Sequence, residues 1–441
     1  MSKNVLIIGF GRSGRSAAKL VNETGDNVYI YDEKAVADIP CFVRENRSGY
    51  ETEKLFDGID SVIISPSAAI NSALVKQAES RGIAVVGETE TAYAAFGGGV
   101  TAVTGTNGKT TVTMLIHGIF EKAGIRCAAL GNIGTPFSEF FWLGIDEAVL
   151  EVSSFQLESI KTFRPHIAVF LNFAPDHLDR HADIKEYFAA KLNLFLNQTR
   201  NDFAVINADD PYLREKFGNG MPQGYESELF YFSAERRVKG VYVKDGDIIF
   251  DDGRTAKKIC TVSDIPLKGR HNLENALAAI CAAYLKNIGS DDIEAALKSF
   301  EPPRHRIEFV RRIGGTDFFD DSKGTNVHAT VAAVKSMVGE TVLILGGSDK
   351  GENFGDLFKD MPKSVKEIFV TGQNSHKILA AASGFEAIKI SETATLEECV
   401  KQAYAAAPDN VLFSPASASF DRYRSYEERG KHFVRITEEL I

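Results

Sequence analysis

The sequence predicts an α/β protein of three domains in series, each with a mainly parallel sheet flanked by helices. Short β-branched runs alternate with helical patterns along nearly all of the 441 residues, which is typical of strands covered by helices. Two glycine-rich loops, at residues 9–14 and 105–108, each lie between a strand and a helix. Breaks at GGG (97–99) and at EPPRHR from Glu301 divide the chain into pieces of ordinary domain size. The predicted domains span residues 1–96, 97–300 and 301–441.

The first domain is predicted to be Rossmann-like. Its strand-like runs are NVLII, NVYIYD, SVIISP and IAVVG. A helical segment ends at Gly25, and another begins at Asn71. This alternation indicates a parallel sheet covered by helices.

The central domain is predicted to have a P-loop type of ATPase fold. It opens with the strand VTAVTG, and a helix follows before Gly124. The apolar residues of that helix recur at helical spacing, and they are Val112, Leu115, Ile116, Ile119 and Phe120. The later elements are the strands EAVLEVS, IAVFLNF and FAVINA, a hairpin-like GVYVKDGDIIFDDG and the helix NLENALAAICAAYLKN.

The third domain is again predicted to be Rossmann-like. Paired prolines after Glu301 disfavour a helix at its start. The strand-like runs TVLILGG, EIFVTG and NVLFSP follow, with helices between them, one of which begins near Leu396.

Composition and charge exclude several classes of protein. Apolar residues make up 44% and charged residues 25%, as in a soluble globular protein, and no run approaches a membrane span. The N-terminal apolar run is too short for a signal peptide core. A net charge of -10 disfavours nucleic acid or an anionic membrane as a partner. Five scattered cysteines without a C-x-x-C pair argue for a reducing cytoplasm and against a zinc site.

The first glycine loop carries a complete G-x-G-x-x-G at Gly9, Gly11 and Gly14, directly after a strand. Asp32 ends the next strand. These glycines allow a pyrophosphate to approach a helix N-terminus, and the acid can bind a ribose hydroxyl. The pattern predicts a nucleotide site but does not distinguish a nicotinamide dinucleotide from a uridine diphosphate. Alternatively, the glycines form only a tight turn between strand and helix and bind no nucleotide.

The second glycine loop, in TAVTGTNGKTTVTML, departs from the common phosphate-loop spacing, because position 103 is valine. Gly105 and Gly108 leave backbone N–H groups open to an anion at the start of a helix. Lys109 supplies a charge for phosphates, and Thr110 a hydroxyl that can bind magnesium. A chain with both loops is expected to bind two nucleotides, whereas a dehydrogenase would need only the first.

Four segments, GTNGKTT, EVSSFQLE (151–158), NFAPDHLDRH (172–181) and DDSKGTN (320–326), resemble the Mur ligases. That family shares its central fold with folylpolyglutamate synthetases and uses a phosphate loop of this shortened form. Within the family, DDSKGTNVHAT and SPASASFDRYRSYEERGKHF are similar to the branch that adds D-glutamate to UDP-N-acetylmuramoyl-L-alanine. The resemblance covers essentially the whole chain.

The resemblance implies a site for ATP and two magnesium ions. The metal ligands it implies are Thr110, Glu151, His177 and Lys191, the last as a carbamate, because a lysine cation cannot bind magnesium. Lys109, Glu151, His177 and Lys191 are the implied catalytic residues, and nearby His181 is interpreted as a surface histidine. The implied ATP contacts are Gly105, Thr106, Asn107, Gly108, Lys109, Thr110, Thr111, Asn272, Arg306 and Asp321. Asn272 has a common alternative role, as a helix N-cap.

The resemblance also implies sites for the two substrates to be joined. For the UDP-linked peptide the matching residues are Ser13, Asp32, Asn132 and Ser153, with the variable positions Arg12 and Lys34 nearby. For D-glutamate they are Lys323, Thr325, Lys350, Ser419, Phe420 and Tyr426. Lysines and hydroxyl groups suit an amino acid with two carboxylates.

The expected function is therefore an ATP-dependent amide ligase that acts through an acyl phosphate, in the cytoplasmic part of peptidoglycan synthesis. We expect a monomer, with no nucleic-acid or membrane partner. Three alternatives remain: a folylpolyglutamate-type ligase, a nicotinamide dehydrogenase that uses the first glycine loop, and a catalytically silent nucleotide-binding regulator.

Overall fold

The computed structural model describes residues 2–34, 36, 38–177, 180–266, 269–301, 304–349, 352–359, 361–383, 385 and 388–440. The chain divides into two compact units. The first comprises Met1–Phe173, Ala182–Pro266 and Asn272–Phe300, and the second comprises Ala174–His181, Leu267–His271 and Glu301–Ile441. Among the described residues, no helix combines the length and apolar character needed to cross a membrane.

The first unit begins with a five-stranded parallel sheet in the order β3-β2-β1-β4-β5. Its elements are β1 (Asn4–Ile8), α1 (Arg12–Glu23), β2 (Asn27–Tyr31), β3 (Val43–Asn46), α2 (Thr52–Leu55), β4 (Ser61–Ile64), α3 (Ala73–Ser80), β5 (Ala84–Gly87) and α4 (Glu88–Ala95). The strand order reverses between β1 and β4, which creates a crevice at the carboxyl ends of these strands. The predicted Rossmann-like sheet is confirmed.

The same unit holds a nine-stranded sheet in the order β14-β13-β12-β11-β10-β9-β6-β8-β7. Its elements are β6 (Gly99–Thr104), α5 (Lys109–Lys122), β7 (Cys127–Gly131), a 3-10 helix (Phe137–Trp142), β8 (Glu147–Glu151), α6 (Ser154–Leu157), β9 (Ile167–Phe170), α7 (Ile184–Leu192), a 3-10 helix (Asn193–Phe195), β10 (Phe203–Asn207), α8 (Pro211–Phe217), β11 (Glu228–Ser233), β12 (Gly240–Lys244), β13 (Asp247–Asp251), β14 (Ala256–Thr261), a 3-10 helix (Val262–Asp264), α9 (Arg270–Leu285) and α10 (Ser290–Lys298). The predicted hairpin forms, because β12 and β13 pair antiparallel. The five apolar residues predicted on one face of α5 are all buried.

The second unit holds a six-stranded sheet in the order β15-β16-β20-β17-β18-β19. Its elements are β15 (Glu308–Ile313), β16 (Thr316–Asp320), α11 (Val327–Ser336), β17 (Thr341–Leu345), α12 (Gly355–Lys359), β18 (Val365–Val370), α13 (Ser375–Ala382), β19 (Lys389–Glu392), α14 (Leu396–Ala405), β20 (Asn410–Phe413) and α15 (Tyr426–Glu438). Among the described strand pairs of this sheet, only β15–β16 is antiparallel. The strands β8, β9 and β17 are buried along their whole length, as expected for parallel strands covered on both faces.

The GGG stretch, where the composition predicted a break, leads directly into a strand. Gly99 is the first residue of β6, and its N–H donates to the Asp146 carbonyl at 2.9 Å. A Cβ at Gly98 would collide with the same carbonyl oxygen. Nearby, Glu90 accepts hydrogen bonds from the backbone N–H groups of residues 161–163. Gly98 and Gly99 therefore permit close packing of the backbone at the start of β6 against the segment that leads into β8.

Candidate active site

The shortened phosphate loop connects β6 to α5 and has a fixed shape. Gly105 and Gly108 have φ values of 153° and 86°, conformations that side chains disfavour. A Cβ at Gly108 would also collide with the side-chain oxygen of Asn275. Asn172, just after β9, holds the loop from the other side: its Oδ1 accepts from the Asn107 N–H at 2.8 Å, and its Nδ2 donates to the Asn107 carbonyl at 3.0 Å.

Lys109, the first residue of α5, lies across this loop. Its Nζ donates to the carbonyl oxygens of Gly105 and Thr106, each at 2.9 Å. The ammonium thus lies at the N-terminus of a 14-residue helix, where the backbone also favours negative charge. Thr106 and Thr111 are buried beside it. This arrangement can bind a polyphosphate.

Glu151, Thr110 and Asn132 form a polar cluster at the carboxyl edge of the central sheet, in which Glu151 and Thr110 are buried and Asn132 is exposed. Thr110 Oγ1 donates to Glu151 Oε2 at 2.7 Å, and Asn132 Nδ2 donates to Glu151 Oε1 at 2.9 Å. The parallel register places Gly131 beside Glu151, so Asn132 follows directly at the same edge. Only 3% of Glu151 is exposed. The Thr110 hydroxyl and the Glu151 carboxylate, two groups whose oxygens can bind a metal ion, therefore lie next to the phosphate loop.

Lys191 lies on α7, and its side chain is buried, with 1% of the residue exposed. Its Nζ donates to the Gly105 carbonyl at 3.0 Å and lies 4.8 Å from the centre of the Tyr187 ring. The structure therefore brings Lys109, Lys191 and the Glu151 cluster together around one loop.

His177 lies in the segment Ala174–His181, which belongs to the second unit. Its φ of 56° places it in the left-handed region, and its N–H donates to Asp176 Oδ1 at 2.9 Å. Our interpretation of His181 as a surface residue is wrong: only 2% of it is exposed. A turn in which the His181 N–H donates to the His177 carbonyl at 3.0 Å folds this residue inward.

The first glycine loop lies at the crevice of the five-stranded sheet. Gly9 has a φ of 87°, and a Cβ at Gly14 would collide with the Gly9 carbonyl. Asp32 Oδ2 accepts from the Phe10 N–H at 2.7 Å, and its Oδ1 accepts from the Lys34 N–H at 2.9 Å. In this structure the Asp32 carboxylate thus fixes the loop backbone.

Ser13 and Ser153 are two further predicted contacts of the UDP-linked peptide, and both lie near loops of the central sheet. Arg12 Nη1 donates to the Gly134 carbonyl at 2.8 Å, which brings the first glycine loop next to the loop that carries Asn132. Ser13, beside Arg12, is half-buried. Ser153 caps α6, because its Oγ accepts from the Gln156 N–H at 3.4 Å.

Asn272, a predicted ATP contact, is not the cap of α9, since that helix begins at Arg270 and Asn272 lies in its first turn.

Asp321 is buried at the carboxyl edge of the third sheet. Ser414 Oγ donates to Asp321 Oδ2 at 2.6 Å. Burial raises the pKa of Asp321 to about 7, and the nearby Arg306 charge opposes this shift. The carboxyl group is therefore poised to exchange its proton near neutral pH.

Four of the predicted D-glutamate residues, Lys323, Thr325, Ser419 and Phe420, lie on the loops that follow β16 and β20, and Tyr426 is the first residue of α15. Lys323 Nζ lies 5.3 Å from the centre of the Tyr426 ring, and the Lys323 carbonyl accepts from the Thr325 N–H at 2.9 Å. Ser419 is buried, whereas Phe420 is 71% exposed. Lys350 lies outside the described residues.

Arg429 joins these two loops, and the sequence analysis did not identify it. Its guanidinium donates to the carbonyls of Ser322, Ser417 and Ala418 at 2.8, 2.9 and 3.0 Å. Burial lowers its pKa to about 10.

Asn172 and Asn275, which shape the phosphate loop, were also not identified by the sequence analysis. Its position two residues after β9 could have indicated Asn172, whereas Arg429 resembles an ordinary surface arginine of a charged helix.

Comparison with known proteins identifies the family of this chain. Three protein-family models match in order: the MurD-like N-terminal domain over residues 3–87, the Mur ligase middle domain over 103–283, and the glutamate ligase domain over 305–417. A relative from Koribacter versatilis, a UDP-N-acetylmuramoylalanine–D-glutamate ligase, is 38% identical over 99% of this chain and 98% of its own. The chain belongs to the Mur ligase family.

Other similar proteins extend this match. A ligase of the same name from Alkaliphilus oremlandii is 39% identical over 99% of this chain and 98% of its own. A pseudomurein peptide ligase type C from Methanothermus fervidus has a similar fold, with a TM-score of 0.63 at 18% identity over 99% of this chain and all of its own. The α/β fold with mainly parallel sheets in three domains is thus that of Mur ligases.

Proposed function

We propose that this chain is an ATP-dependent ligase that joins D-glutamate to UDP-N-acetylmuramoyl-L-alanine in peptidoglycan synthesis. The observation that carries the proposal is the cluster at the phosphate loop. Glu151 accepts from Thr110 at 2.7 Å, beside the ammonium of Lys109. The full-length relatives named for this reaction support the substrate assignment.

The chemistry requires an activated carboxyl group. A carboxylate reacts poorly with an amine because its oxygen is a poor leaving group. An oxygen of the alanyl carboxylate attacks the γ-phosphorus of ATP, ADP leaves, and an acyl phosphate forms. The amine of D-glutamate then attacks the acyl carbon, the amide bond forms, and phosphate leaves with one of the original carboxylate oxygens.

The residues at the phosphate loop fit a magnesium ion. The Thr110 hydroxyl and the Glu151 carboxylate are oxygen donors within hydrogen-bond distance of each other, and magnesium prefers oxygen ligands. When bound, magnesium would neutralise charge on the phosphates during transfer. A second ion would be held by His177 and by Lys191 as its carbamate. Lys191 could provide an oxygen ligand only after its amine reacts with carbon dioxide.

The chain's own residues bind and orient ATP. Lys109 and the loop of residues 105–111 hold the phosphates. The positive charge of Lys109 offsets the negative charge that develops on the transferred phosphoryl group. Asn272, Arg306 and Asp321 contact the adenosine part and the phosphates.

Two further groups of residues bind the molecules to be joined. Ser13, Asp32, Asn132 and Ser153 hold the UDP-linked peptide, and Lys323, Thr325, Lys350, Ser419, Phe420 and Tyr426 hold D-glutamate. In this scheme residues 1–96 bind the UDP substrate, 97–300 bind ATP and 301–441 bind the amino acid. The protein acts as a cytoplasmic monomer.

One assay tests the proposal against its rivals. Phosphate release is measured with ATP, magnesium and UDP-N-acetylmuramoyl-L-alanine, and with either D- or L-glutamate. We expect release that requires all components and D-glutamate. Release independent of the amino acid, or no release at all, would refute the ligase assignment.

A further inference from the structure

Asn374 occupies the N-cap position of α13, but its side chain does not have a capping role. Within the described part of the chain, its side chain accepts no hydrogen bond from the N–H groups of the helix it precedes. Asparagine usually makes that bond at this position. The residue is fully buried, and its amide points instead toward two other loops.

The Asn374 amide cross-links the loops that follow β17 and β20. Its Oδ1 accepts from the Gly347 N–H at 3.0 Å. Its Nδ2 donates to Ser417 Oγ at 2.6 Å and to the Ser348 carbonyl at 3.4 Å. The backbone N–H of Asn374 also donates to the Gly347 carbonyl at 3.1 Å. Its acceptor and both donor hydrogens thus have partners in neighbouring loops.

These two loops meet at the carboxyl edge of the sheet, where open α/β sheets bind ligands. Gly346 has a φ of 112°, and a Cβ there would collide with the Thr371 carbonyl. Asn374 lies on a third loop, the one that follows β18. Because the three loops approach closely, its side chain reaches the other two. One tethered loop continues in sequence to Lys350, and the other to Ser419.

We propose that Asn374 is a positioning residue for the incoming amino acid. This inference rests on the proposed function, because it takes Lys350 and Ser419 to be D-glutamate contacts. Asn374 is buried and acts through the loops. Its amide fixes Gly347 and Ser348 relative to Ser417, and so sets the spacing between the two sides of the amino-acid site.

The test compares Asn374→Ala with a matched control, Asn410→Ala. Asn410 is also a buried asparagine that joins two segments of this sheet, since its Nδ2 donates to the Val338 carbonyl at 2.8 Å. It lies at the opposite, amino end of β20. We expect Asn374→Ala to raise the KM for D-glutamate about tenfold or more, because small displacements of binding groups are costly. The KM values for ATP and the UDP substrate should stay unchanged. In Asn410→Ala all three KM values should stay unchanged.

Hydrogen exchange provides a readout that does not need catalysis. In Asn374→Ala the amide of Gly347 should exchange faster than in the wild type, whereas the amides near Val338 should not. An unchanged D-glutamate KM, an equal rise in all three KM values, or unchanged exchange at Gly347 would overturn the positioning role. A wild-type protein without D-glutamate-dependent turnover would refute the proposed function instead, and the exchange experiment would still decide whether Asn374 tethers the loop.

Discussion

Strand β8 begins and ends with buried glutamates that have similar surroundings, and this pair allows catalysis to be separated from stability. Glu151 accepts from Thr110 at 2.7 Å and from Asn132 at 2.9 Å. Glu147 accepts from Thr101 at 2.9 Å and from the ammonium of Lys286 at 2.6 Å. Both are at most 3% exposed. Only Glu151 lies at the edge that carries the phosphate loop.

We predict that Glu151→Gln will reduce activity with little loss of stability. A glutamine oxygen can accept from Asn132, and its NH₂ can donate to Thr110, whose hydroxyl also accepts. Both contacts therefore remain, and the free energy of unfolding should change by less than about 1 kcal/mol. The anionic oxygen next to the phosphate loop is lost. We therefore expect kcat/KM to fall by on the order of 10²-fold or more, with a higher magnesium requirement.

Glu147→Gln should show the opposite behaviour. The ammonium of Lys286 would lose its counter-charge, and removal of one partner from a buried ion pair costs about 3–5 kcal/mol. The Lys286 side chain is 24% exposed, so solvent should reduce this loss to about 1–3 kcal/mol. At temperatures where the variant is folded, its kcat/KM should equal that of the wild type.

The measurement combines urea unfolding with phosphate release over a magnesium titration for both variants. Wild-type kcat/KM in Glu151→Gln at ordinary magnesium concentrations would refute the role of Glu151 at the metal. Equal losses of activity in the two variants, in proportion to their stability, would show that the cluster is only structural.

Three further predictions concern residues around the same loop and at Asp321. Lys109→Met removes the ammonium that bridges the loop carbonyls, so phosphate release should fall by on the order of 10²-fold or more; unchanged kinetics would exclude a phosphate role. Lys191→Ala should be poorly active and should recover partly with short carboxylates, and intact wild-type protein should show the mass of a carbamate; full activity of the variant without additives would refute the metal role. Folded Asp321, whose pKa is raised to about 7 from a usual 3.8, keeps a proton that the unfolded chain releases, so its contribution to stability should fall as pH rises from about 4 to 7. Asp321→Asn should remove that part of the slope in urea midpoints between about pH 4 and 7, and identical slopes would contradict the raised pKa.

Local sequence signals predicted the individual elements well. The apolar spacing of α5 and the flanking glycines fixed the position of the phosphate loop, because helix periodicity and turn geometry depend on neighbouring residues. The alternation of strands and helices also predicted parallel sheets, and the structure has them.

The order of strands could not be derived from local patterns. Thr110 and Glu151 meet because β8 pairs directly with β6, and Asn132 joins them because β7 pairs with β8. These pairings are long-range. The link between residues 110 and 151 therefore came from family resemblance, and only the structure showed its geometry.

Misinterpretations arose where one residue type serves two physical roles. Glycines 97–99 predicted a break in the chain, but Gly99 begins β6 and a side chain at Gly98 would collide with a neighbouring carbonyl. His181 lies in a polar segment, yet a turn buries it. Arg429 and Asn374 look like surface and capping residues, and tertiary contacts alone show that they join distant loops.

The transfer of oxygen from substrate to phosphate tests the central claim most directly. UDP-N-acetylmuramoyl-L-alanine, labelled with oxygen-18 in its alanyl carboxylate, is incubated with ATP, magnesium and D-glutamate, and the released phosphate is analysed by mass. An acyl phosphate predicts one labelled oxygen in each phosphate and one new amide product for each phosphate. Unlabelled phosphate, or release without D-glutamate, would contradict the account.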